Sequence, residues 1–156
     1  MTTYKHCIER ALAAILIVGG TSSFTAAPSS AVWHAHAGRT LNGAATARLH
    51  LIKAEGSQLI EEGQVTGALA GTAHGTFHAG AVFVGAITIH TRGGSISGEG
   101  RAIPSGSGRY QSFRGLFQAT GGSGLYTHVS GRAGLYGVLD RRHDSVVIQT
   151  TGRLTY

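Results

Sequence analysis

From Arg109 to the end of the chain, apolar and polar residues alternate in short runs, and glycines mark the breaks between them. Phe113, Gly115, Phe117 and Ala119 fall on one side of a run, and Ser112, Arg114, Gln118 and Thr120 on the other, with Leu116 as the exception. Val146 to Tyr156 repeats the pattern: Val146, Ile148, Leu154 and Tyr156 share a side with Thr150 and Gly152. A period of two is the signature of a pleated strand with one buried face. Between such runs, Gly121, Gly122 and Gly124 are predicted to form a turn, because glycine enters positive φ at little steric cost. Asp140 to Asp144 is predicted to form the last turn, with Asp140 accepting backbone N–H groups.

Earlier segments read the same way. Ala44 to Lys53 predicts a strand with Ala47, Leu49 and Leu51 inward, and Val32 to Asn42 an extended leader or edge segment. Gln58 to Thr66 predicts a second strand, kinked at Gly63. Gly67 to Gly75 is rich in glycine and alanine and reads as a weak strand or a loop. Thr76 to Thr91 reads as one strand bent at Gly85 or as two. In Ser95 to Ile103, the small residues Gly98 and Gly100 share the inward face with Ile96 and Ala102, which predicts close approach of other groups there. Seven to nine short strands, and no helix after the first residues, predict an all-β fold. With 23 of the 25 glycines falling from Gly38 on, where they can bend the strands, the expected form is a closed antiparallel barrel of about eight strands, which leaves no exposed edge.

The N-terminus has the three parts of an export signal. Lys5 and Arg10 are basic, Ala11 to Val18 is uninterruptedly apolar, and small polar residues follow. That core is shorter than the roughly 20 apolar residues a membrane-spanning helix needs, so no transmembrane span is expected in the mature chain. Ala35-His36-Ala37 and Ser29-Ser30-Ala31 both place small residues at the cleavage positions, so cleavage is expected after Ala31 or Ala37. Thr25-Ala26-Ala27 is followed by Pro28, which disfavours cleavage there. Residues 1–37 are therefore read as signal and leader, and 38–156 as one barrel domain in a secreted, extracellular protein. The single cysteine, Cys7, precedes the apolar core, which excludes a lipid anchor at the cleavage site and leaves the mature chain without disulfides.

The chain has 13 Lys and Arg against 7 Asp and Glu. These bases are dispersed, and only Arg141 and Arg142 adjoin. Nucleic-acid binding would call for a clustered stripe with aromatic platforms, so none is expected. Attraction to an anionic cell surface stays open as a third reading of the chain.

The run Gly121-Gly122-Ser123-Gly124-Leu125-Tyr126, followed by Gly137-Val138-Leu139-Asp140, resembles a signature of the allene oxide cyclase-like and dirigent-like barrel superfamily. That signature is Gly-Gly-Thr/Ser-Gly-x-Tyr/Phe and then Gly-x-x-Asp. Gly93 to Gly98 and Glu62 to Gly67 add to the likeness, which runs from Leu41 to Tyr156 and is closest to small secreted bacterial, actinomycete-type proteins. The resemblance implies an eight-stranded barrel with an apolar interior. Its plant members cyclise an epoxide or steer the coupling of phenoxy radicals, and none of their active-site residues maps onto a position here. Fold does not carry function by itself.

No catalytic set emerges from spacing, and no cofactor is expected. His74, His78 and His90 are the nearest approach to a metal set, but His74 and His78 would lie about 13 Å apart along a strand. Glu61 and Glu62 must point to opposite faces. The inward one would make a general acid with a raised pKa, although a surface carboxylate beside Gly63 is the commoner outcome. Tyr110, Phe113, Phe117, Tyr126 and Tyr136 are the candidates for the lining or rim of a cavity. The preferred expectation is a barrel holding a small apolar ligand, without catalysis. The alternative is a cofactor-free cyclase, isomerase or stereochemical guide.

Overall fold

The computed structural model describes residues 38–156, and the expectations for the export signal lie outside that range. Eight strands make up most of it: β1 Thr40–Glu55, β2 Gln58–Gly67, β3 Gly71–His78, β4 Phe83–Thr91, β5 Gly94–Ser105, β6 Tyr110–Gly122, β7 Ser130–Asp140 and β8 Ser145–Thr155. Each pairs antiparallel with the next, and β8 pairs with β1 to close the barrel. The seam runs in unbroken register from Thr40 opposite Thr155 to His50 opposite Ser145.

Alternation sets which side chains enter the barrel. Phe113, Phe117 and Ala119 are buried while Leu116 is exposed, and Val146, Ile148 and Leu154 are buried along β8. Period-two pleating makes both outcomes follow from one assignment of the inward face.

Two segments that the sequence left open are fixed. Gly71 to His78 is a full strand, with Ala73 and Gly75 buried inside. Its inward residues before Phe77 are too small to carry a hydrophobic signal. The run from Thr76 to Thr91 is two strands, parted at Ala79–Val82.

The interior is narrow, and glycines make room for rings. A Cβ at Gly98 would lie 2.3 Å from the Phe117 ring, and one at Gly137 would lie 2.1 Å from the Phe113 ring. Neither strand could carry a larger residue at those points without displacing an aromatic side chain from the core. Phe113 also meets Phe83 edge-on at 5.6 Å between centroids, a favoured aromatic geometry.

The two ends are closed differently. At the upper end, a single 3-10 turn, Gly124–Tyr126, connects β6 to β7. Gly124 takes φ +61°, whereas Gly121 and Gly122 still belong to β6. The turn is thus shifted along the expected glycine run. Tyr126 packs on Tyr156 at 4.8 Å. Leu69 and Val129 are buried. At the lower end, Gln111 is buried, donates to the Gly106 carbonyl at 3.3 Å and accepts from the Arg141 guanidinium. Asp140 organises the β7–β8 turn beside it, accepting from the Arg142 backbone N–H at 3.0 Å.

Candidate functional site

The barrel interior holds two lobes of about 70 Å³ each. Phe77, Gly85, Gly100, Leu135 and Ile148 line both and form the partition between them. The upper lobe is bounded by Leu41, Val65, Leu69, Ile89 and Phe117. The lower lobe is bounded by Leu59, Phe83, Ala102, Phe113, Leu139 and one carboxyl group, that of Glu61.

The lower lobe owes its polarity to the pleat of β2. Leu59, Glu61 and Val65 share a parity, so the strand that sends two aliphatic side chains inward sends Glu61 with them. Glu61 is 3% exposed, while Glu62 is exposed. The expectation of a surface carboxylate beside Gly63 is therefore corrected for Glu61. Gly63 stays in regular register with Leu49, and the irregularity falls in β1 between Leu51 and Lys53. The Oε2 atom of Glu61 has no hydrogen-bond partner. Burial pushes the Glu61 carboxyl up to about 7, since desolvation penalises the charged form.

The other expected site residues divide by strand parity. Phe113 lines the lower lobe and Phe117 the upper. Tyr126 sits at the upper end, on Tyr156. Tyr110 and Tyr136 point out of the barrel, at 56% and 47% exposure, which corrects their expected place around the cavity. Each lies on the outward parity of its strand, and Tyr110 carries the Arg109 guanidinium 4.7 Å from its ring centroid. His74, His78 and His90 are all exposed, and no group of three metal-ligating side chains occurs among the described residues.

A second charged cluster lies outside the lumen. Asp140 accepts from Arg109 Nε and Nη2, both at 3.2 Å, and lies 2.7 Å from His143 Nδ1. The Arg109 contact, with His143 next, holds the Asp140 carboxyl well below the usual carboxylate range. An acid held ionised and saturated with partners serves as a turn anchor, and has no free lone pair to offer a substrate.

The lumen therefore presents a largely apolar space with one buried carboxyl group, that of Glu61. The sequence signal for it was the Leu59–Glu61–Val65 parity, which outranks the local symmetry of two adjacent glutamates. No family model, curated protein or solved structure matches this chain.

Proposed function

We propose that this chain is an exported barrel that holds a small apolar molecule in its lumen. The observation that carries the reading is the paired lobes, walled mainly by aliphatic and aromatic side chains and sharing Phe77, Leu135 and Ile148 at their partition. An apolar cavity of this kind stays dry and takes apolar guests. Each lobe is well below the 300–1,000 Å³ typical of drug-sized sites, so the guest is small or bridges the partition. Export is supported by the basic, apolar and small-residue order of the first residues. Membership of the allene oxide cyclase-like barrels is supported by the glycine motifs and agrees with the eight-strand closure.

The isomerase reading has one observation in its favour. A carboxyl titrating near neutrality is well matched to proton transfer at physiological pH. The size of the lower lobe stands against it, because a substrate seated on Glu61 would be limited to a few heavy atoms. Binding is accordingly the first reading.

Xenon tests it, being apolar and small enough for either lobe. Under xenon pressure, methyl resonances of Val65, Leu69, Leu135 and Ile148 are expected to shift together and saturably. Shifts confined to the exposed Ile52, Ile103 and Leu116 would sink the lumen reading.

A further inference from the structure

We propose that the lower lobe selects small neutral molecules that present a carbonyl oxygen to Glu61. The inference rests on the lumen reading and adds the chemistry of the guest. Glu61 lines the lobe, is 3% exposed, and leaves Oε2 without a partner. A buried polar atom left unpaired has lost its water without compensation, so a guest that completes it is favoured over one that does not.

The surroundings decide the class of guest. A protonated carboxyl is a donor in need of an acceptor, and a ketone or aldehyde supplies one without bringing a donor of its own. An ammonium ion would bring three N–H groups to a lobe with one carboxyl to meet them. A carboxylate guest would face Glu61 with no lysine or arginine in the lining, since Arg141 is engaged with Gln111 at the lower end.

Apart from His78, the groups packed around Glu61 carry no titratable side chain. Leu51 of β1 and Gly75 of β3 flank it in register. Phe83 of β4, Ala102 of β5, Phe113 of β6, Leu139 of β7 and Val146 of β8 complete the wall. His78 of β3 is the other titratable side chain lining the lobe, and it is exposed. Burial holds Glu61 protonated up to about pH 7, and the lobe is competent for a carbonyl guest only in that form.

The test is a titration of the whole protein with cyclopentanone, followed by amide NMR at pH 5.5 and pH 8.5, with cyclopentane alongside. The competent fraction falls about thirtyfold between these pH values for a group titrating near 7, and the ketone affinity is expected to fall by that factor. In Glu61→Gln the amide donates at either pH, so the ketone affinity should change less than twofold. A ketone affinity equal at both pH values in the unmodified protein would overturn the proposal. So would a pH-dependent loss that persists in Glu61→Gln, which would point to His78. Cyclopentane binding without any ketone binding overturns this proposal alone. Binding of neither overturns it together with the lumen reading.

Discussion

A carboxyl that ordinarily loses its proton near 4.5 keeps it to about 7 at Glu61, and that difference acts on the stability of the whole barrel. Between these pH values the folded chain holds a proton that the unfolded chain has released. Raising the pH therefore favours unfolding. The stabilising contribution is fully present below pH 4.5 and is lost as pH rises through 7. Two and a half pKa units correspond to about 3 kcal/mol. Urea denaturation at pH 4.5, 6 and 8 should show this decline in the unmodified protein, and Glu61→Gln should flatten it. Parallel curves for the two proteins would show that Glu61 ionises freely when folded. Asp140 works in the opposite sense, since its partners favour the ionised form and its contribution is lost as pH falls.

At the scale of the strand, the fold rests on rings set into glycines. Phe117 lies against Gly98 across the β5–β6 pair, and Gly100 sits opposite Phe117 in register. Gly98→Ala places a methyl 2.3 Å from the ring and 2.5 Å from the Gln118 carbonyl, and should destabilise by about 1–3 kcal/mol through overpacking. Phe117→Ala should cost about 3–5 kcal/mol through the cavity it leaves. The two are in contact, so the double variant should be more stable than the sum of the single losses predicts, by at least about 0.5 kcal/mol. Equilibrium unfolding of all three variants measures it. Strict additivity would mean that the ring and the glycine do not share the space.

The same scale explains what could be read in advance. β5, β6 and β8 were legible because large inward residues, such as Ile96, Phe113 and Ile148, alternate with charged or hydroxylated ones. β3 was not, because its inward Ala73 and Gly75 contribute too little apolar surface to separate a strand from a loop. The outward fate of Tyr110 and Tyr136 was available from parity, but aromatic type argued against it. Glu61 was the hardest, because its burial depends on the neighbours β1 and β3 supply, and a buried carboxyl contradicts the usual ranking of residue types.

Across the whole molecule, closure pairs residues more than 100 positions apart, as in Thr40 with Thr155. All-β chains whose closure waits on so distant a pairing fold slowly, in milliseconds to seconds. Stopped-flow refolding of residues 38–156 should fall in that range, with the last structure gained at the β1–β8 seam. Amide protection of Leu49 and Ile148 that appears ahead of the β5–β6 pair would refute that order.

The seam also fixes how the molecule is held. Arg39 and Tyr156 exchange backbone hydrogen bonds at 2.7 and 2.8 Å, so the C-terminal residue is stitched into the upper rim. A protein immobilised through a C-terminal tag would stand with that rim toward the support. The lower end, where Glu61, His78 and Leu139 line the lobe, would then face the bulk liquid.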